Sequence, residues 1–145
     1  MPFGNYVVIQ GDSRRKVEMG EDGVVASSFR KEFKLDGPDS GGSTIVILMI
    51  QGLTGAASAV NVDLNGKHIG KIHPNPNADP NSWFTQILHF SASEGNLRPN
   101  AKDDGTVNVI EIPGKLRKNE NAENTNNFGK MYVQNVVCFY KQASA

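Results

Sequence analysis

A chain of 145 residues in which Lys plus Arg equals Asp plus Glu is sized for one domain, 1–145, built around a single core. Zero net charge excludes the strongly basic face of a phosphate-gripping nucleic-acid module, and no apolar stretch approaches the roughly 20 residues of a membrane span. The hydrophobic 38% is gathered in short runs, with most of the 15 glycines and seven prolines between them, which suits strands and turns and leaves no place for a long helix.

The first run, Tyr6 to Ile9, reads as a short strand closed by Gly11-Asp12-Ser13. Arg14-Arg15-Lys16, beside Asp12 and Glu18, reads as a solvated turn, as do Lys115, Arg117 and Lys118 beside Glu120 and Glu123. From Phe29 to Leu35 the period is two. Phe29, Phe33 and Leu35 share one side and Arg30, Glu32 and Lys34 the other, so one face is expected to be wet. Asp36-Gly37-Pro38-Asp39-Ser40-Gly41-Gly42 then forces a turn. Thr44 to Ile50 is apolar at both parities, which predicts a central strand covered on both faces.

Asn65-Gly66 between two alternating runs marks a two-residue hairpin, because a type I′ turn needs positive φ twice. That register sets Leu64 opposite Lys67, Asp63 opposite His68 and Val62 opposite Ile69, with Val62, Leu64 and Ile69 facing inward. A polar loop, His73 to Ser82, carries three prolines that forbid regular pairing before Trp83 opens the next strand. Along Trp83 to Phe90, Phe84, Leu88 and Phe90 fall on one side and Thr85 and His89 on the other, and Ile87 breaks the alternation. Thr106 to Ile112 forms a further strand, Lys118 to Asn127 is an Asn- and Glu-rich segment expected to be a mobile loop, and Met131 to Tyr140 is the closing strand. About eight or nine short strands with turn punctuation predict an all-β antiparallel sandwich of jelly-roll type.

No catalytic constellation emerges. The three histidines, His68, His73 and His89, lack zinc-ligand spacing, and no Gly-x-Ser-x-Gly elbow or phosphate-cradling loop occurs. Cys138, the single cysteine, sits inside Val136-Val137-Cys138-Phe139-Tyr140 and reads as a small buried hydrophobe. Asp36 and Asp39 in their Gly-rich turn can supply oxygen ligands to a structural calcium, although Asp-Gly-Pro-Asp is also ordinary turn chemistry; no other cofactor is expected. The segment from His73 to Trp83 offers the best ligand-facing chemistry. Its amides Asn75, Asn77 and Asn81, the Asp79 carboxylate, His73 and the only tryptophan suit a sugar, whose apolar ring face stacks on an aromatic while its hydroxyls bond amides and carboxylates. The alternative for Trp83 is a cover on the end of the core, with the asparagines as turn formers. Met1 to Asn5 lacks the basic-then-apolar pattern of a secretory signal, and with one cysteine and no glycosylation sequon the chain leans towards a cytoplasmic setting.

The succession of the apolar strand Thr44 to Ile50, the Val60-Asn61-Val62-Asp63-Leu64-Asn65-Gly66 hairpin, a Trp-initiated strand, Gly105-x-Val107-Asn108-Val109-Ile110-Glu111-Ile112 and the terminal Tyr132-Val133-x-Asn135-Val136-Val137 resembles the galactose-binding-domain-like jelly rolls of carbohydrate-binding modules. The match covers about residues 44 to 140, and its motifs are short and tolerant, so it speaks to fold. It implies a sandwich whose loops at one end bind saccharides, sometimes beside a structural calcium. Trp83 is the strong loop aromatic, with Phe128 and Tyr132 as weaker ones, and Asn126 and Asn127 approach the same end if their loop folds over it. The expected function is a non-catalytic saccharide-binding module using His73, Asn75, Asn77, Asp79, Asn81, Trp83 and Asn127. The alternative is a structural or assembly domain that binds a protein partner or forms a homo-oligomer, since neutral charge and an edge strand favour association.

Overall fold

The structure, a computed structural model, describes residues 3–19, 25–35, 37–39, 41–52, 60–73, 81–93, 107–112 and 130–142. Among them are ten strands: β1 (Phe3–Gln10), β2 (Arg15–Met19), β3 (Val25–Ser27), β4 (Phe29–Phe33), β5 (Ser43–Gly52), β6 (Val60–Leu64), β7 (Lys67–Ile72), β8 (Trp83–Ser91), β9 (Asn108–Ile112) and β10 (Lys130–Gln142). One sheet runs β3-β2-β10-β5-β8 with β1 also on β10, and the other runs β4-β9-β6-β7. Every pairing is antiparallel. The order β2-β10-β5-β8 over β4-β9-β6-β7 is a jelly roll, in which the chain crosses repeatedly between sheets and closes one core.

The strand count exceeds expectation by β2 and β3, because the basic segment is not a turn and Val25–Ser27 pairs with it. Arg15 to Met19 pairs with the start of β10, and Val17 is fully buried while Arg15 and Lys16 project into solvent. A single buried apolar residue between charged neighbours is too sparse a signal to read as a strand without its partner. The segment around Lys115 to Lys118, like the Lys118 to Asn127 loop, lies outside the described residues.

The core forms where the two inner faces meet. Val46, Leu48 and Ile50 of β5 interleave with Val62 and Leu64 of β6, Ile110 and Ile112 of β9, and Val133, Val136 and Cys138 of β10, all fully buried. Phe29, Phe33 and Leu35 enter the same core as their period of two required, and Arg30, Glu32 and Lys34 remain exposed. Thr44 points into this core from β5, and its hydroxyl has no hydrogen-bond partner among the described residues. An unsatisfied buried hydroxyl is a net penalty, so Thr44→Val is expected to stabilise the domain by about 1 kcal/mol, a rise of roughly 3 °C in midpoint. Urea denaturation checks this, and a destabilised variant would mean that the hydroxyl is bonded.

Asn65 and Gly66 have φ of 52° and 80°, the two positive values a type I′ turn requires. Leu64 faces Lys67 and Asp63 faces His68, whose Nδ1 lies 3.7 Å from the Asp63 carboxylate. The expected Val62–Ile69 pair is displaced by a bulge, and Val62 pairs with Gly70. A Cβ at Gly70 would lie 2.7 Å from Leu88 Cδ2, so glycine lets the edge strand β7 approach β8 where the two sheets meet.

A second bulge governs β10. Met131 and Val133 are buried before it, and Val136, Cys138 and Tyr140 after it, so the inward parity changes from odd to even at Asn135 (φ 51°). On one side of the bulge β10 takes β2 as its neighbour and on the other β1, while the Asn135 N–H donates to the Gly11 carbonyl in the connection between them (2.8 Å).

Candidate functional site

The six-stranded sheet turns one face to the core and the other outward, and the outward face carries the unusual chemistry. Cross-strand register arranges it in rows. Tyr6, Phe139, Ile45 and His89 form one row across β1, β10, β5 and β8, and Val8, Val137, Ile47 and Ile87 form the next. Beyond the bulge come Gln134, Met49 and Thr85, then Lys16, Tyr132, Gln51 and Trp83 across β2, β10, β5 and β8.

The face has two ends of different character. At the apolar end Tyr6 is 62% exposed, Val8 55%, Ile87 57% and Phe139 42%; these are the exposed large hydrophobics among the described residues, and all four share this face. The Tyr6 and Phe139 rings lie 6.0 Å apart at 36°, beside a shallow groove of about 460 Å³ lined by Gly4, Tyr6, Ser43, Ile45, Phe139 and Lys141. Central position in the sheet therefore does not bring the expected cover on both faces of β5, since Ile45, Ile47 and Met49 are only half-buried. Ile87, whose apolar side chain broke the pattern, keeps the parity of Thr85 and His89 and belongs to this patch.

At the polar end the Arg14 guanidinium sits 4.2 Å over the Tyr132 ring and donates to Gln51 Oε1 (3.3 Å). Gln51 Nε2 in turn donates to the Asn81 carbonyl (2.7 Å). Asn81 is thus tied to β5 next to Trp83, which is half-buried and stands outside the core cluster. The other end of the same loop is tied by the His73 N–H, which donates to Gln86 Oε1 of β8 (3.3 Å). Of the expected ligand-binding residues, the structure therefore places His73 and Asn81 as exposed residues at the two anchored ends of the loop, and Trp83 on the outer face. Asn75, Asn77, Asp79 and Asn127 lie outside the described residues, as does Asp36 of the calcium reading. Asp39 is described, and its backbone closes the turn: its N–H donates to the Lys141 carbonyl and its own carbonyl accepts from Gly42.

Sequence reasoning missed Arg14, Gln51 and, as a member of a row with Trp83, Tyr132. The offset of Tyr132 from the buried Met131 and Val133 marks it as outward-facing, but Arg14 and Gln51 join it only through the registers of β2 and β5 on β10. A second, smaller concavity of about 250 Å³ lies between β2 and β4, lined by Arg15, Lys16, Arg30 and Lys31, with Arg30 held 3.4 Å from Glu32. The Cys138 thiol is fully buried, and desolvation pushes its pKa up to about 12, which leaves it a neutral core side chain at physiological pH. Among the described residues no three His, Cys, Asp or Glu side chains group as metal ligands, and no helix is long and apolar enough to cross a membrane.

No family model matches this chain, and no curated protein matches it in sequence. Among solved structures, the native structure of a family 35 carbohydrate binding module from Clostridium thermocellum is similar, with a TM-score of 0.49, 14% identity, and an alignment covering 96% of this chain and 99% of that one. It is a likeness of fold outline between chains that share few residues.

Proposed function

We propose that this chain is a non-catalytic binding module that takes a saccharide at the polar end of the outer face, where Trp83 meets the anchored loop from His73 to Asn81. The observation that carries this reading is the placement of Trp83. It stands outside the core cluster, in one row with Gln51 and Tyr132, and beside an Asn81 backbone held by Gln51. An indole partly open to solvent offers a stacking surface for a sugar ring, and the amides of the loop offer bonds to its hydroxyls. Arg14 covers the Tyr132 ring, which leaves Trp83 as the platform and makes Tyr132 and Gln51 its supports.

The test is a thermal-shift screen of the purified chain against soluble oligosaccharides, with calcium and with chelator. A sugar present at about ten times its dissociation constant should add roughly 1.4 kcal/mol, a shift of about 2–5 °C. Trp83→Ala is expected to abolish that shift while its own midpoint stays within about 3 °C of the wild type, as for an aromatic anchor outside the core. A variant that still responds to the sugar, or one that unfolds, would remove Trp83 from the site.

The apolar end of the same face favours the second reading, an assembly domain, because contiguous exposed apolar rows are a feature of protein-binding surfaces.

A further inference from the structure

We infer that the apolar end of the outer face is a self-association surface, on which a second copy of this chain packs sheet against sheet about a two-fold axis. The inference deepens the assembly reading and is independent of the saccharide reading. Four observations carry it.

The first is concentration. All four large hydrophobics exposed among the described residues, Tyr6, Val8, Ile87 and Phe139, lie on one face and in adjacent rows. The second is chemistry. The row Val8–Val137–Ile47–Ile87 contains no polar side chain, and in the row Tyr6–Phe139–Ile45–His89 polar groups occur only on the outer strands β1 and β8. A sugar or an ion needs converging donors and acceptors, which these rows lack, whereas another apolar protein face needs none.

The third is shape. A twisted sheet is complementary to another sheet with the same twist, which is how the two sheets of a sandwich pack about 10 Å apart. A second copy supplies such a face with matching chemistry, and a two-fold axis lets each patch bury its equivalent. The chain's zero net charge adds no repulsion between copies. The fourth is size. At about 4.8 Å between strands and 3.3 Å per residue, the two apolar rows and the rows on either side of them, which hold Lys141 and Ser43 at one end and Gln134 and Thr85 at the other, span about 20 Å by 23 Å, an apolar centre with a polar rim. Two such faces bury on the order of 900 Å² in projection, just under the roughly 1,000 Å² expected of a specific interface and within the range of transient ones. The association is therefore of the weak, transient class.

Sedimentation equilibrium of the full chain from about 1 to 300 µM tests this, alongside two variants at exposed positions, Ile87→Lys and Val8→Lys. Circular dichroism melts confirm that each variant is folded. The expected result is a concentration-dependent monomer–dimer equilibrium in the wild type, a shift to monomer of tenfold or more in each lysine variant, and an unchanged equilibrium in Trp83→Ala. A wild type that stays monomeric throughout the range overturns the proposal, and any apolar partner of this face is then a different protein. A dimer that persists in both lysine variants also overturns it, because that dimer forms through another surface.

Discussion

Deletion of Asn135 is expected to leave the domain folded and to weaken it by about 2 kcal/mol, a fall of roughly 6 °C in midpoint. The residue occupies a bulge with φ 51° in β10, and it changes the parity of that strand. Upstream of it Met131 and Val133 point into the core; downstream Val136, Cys138 and Tyr140 do so. Remove the extra residue and all five fall on one alternation, so each keeps its inward side and the ladder to β5 becomes regular. What is lost is local: the Asn135 N–H bond to the Gly11 carbonyl, and the added twist of the bulge where β10 passes from β2 to β1. The measurement is a urea titration followed by circular dichroism, in which the deletion variant should show one cooperative transition at a lower midpoint. Asn135→Gly, which retains both the positive φ and the register, should lose no more than about 1 kcal/mol. A deletion variant with no cooperative transition would show that the bulge itself holds the sheet together.

Asn65→Ala is expected to destabilise the domain by about 3 kcal/mol, a fall of roughly 10 °C in midpoint. Asn65 opens the hairpin turn, and it also extends the β6–β9 ladder with both its backbone and its side chain. Its N–H donates to the Val109 carbonyl (2.8 Å), its Oδ1 accepts from the Val109 N–H (2.8 Å), and its Nδ2 donates to Oδ1 of the fully buried Asn108 (2.9 Å). Alanine removes both side-chain bonds, leaving a strand N–H and a buried amide oxygen short of those partners, and it also places a Cβ residue without amide chemistry at positive φ. Asn65→Gly separates these effects, since glycine tolerates the turn but makes neither bond. If the hydrogen bonds dominate, glycine should be nearly as damaging as alanine. A glycine variant as stable as the wild type would refute the network and leave only the turn conformation to explain the residue.

These two residues also mark how far the sequence can be read. Asn65-Gly66 announces its turn locally, because few residue pairs adopt positive φ twice, and the strands on either side follow from alternation. The buried period of Phe29, Phe33 and Leu35 and the burial of Cys138 were legible for the same reason: each depends on neighbours within a few positions. The role of Asn65 in bonding Val109 and Asn108 was not legible, because those partners come from a strand more than 40 residues away. Nor was the bulge at Asn135. A run such as Met131 to Tyr140 is apolar enough to hide a change of parity, and only the partners on both edges of β10 reveal it.

The candidate site divides along the same line. Its loop half, His73 to Trp83, stood out by composition, since prolines, amides and a lone tryptophan are visible one residue at a time. Its sheet half did not. Ile87 as a break in a pattern and Thr44 to Ile50 as a strand apolar at both parities were the traces of an exposed face, yet the natural inference from them is a second covering layer. Local chemistry, acting over the two-residue period of a strand and the few residues of a turn, was enough for the sequence to determine an all-β sandwich and its inward-facing side chains. Register between distant strands decided which outward side chains share a row, because pairing partners are selected by the closed core and not by proximity along the chain. That selection set Arg14 over Tyr132, Gln51 between Arg14 and Asn81, and Tyr6, Val8, Ile87 and Phe139 on one uncovered face.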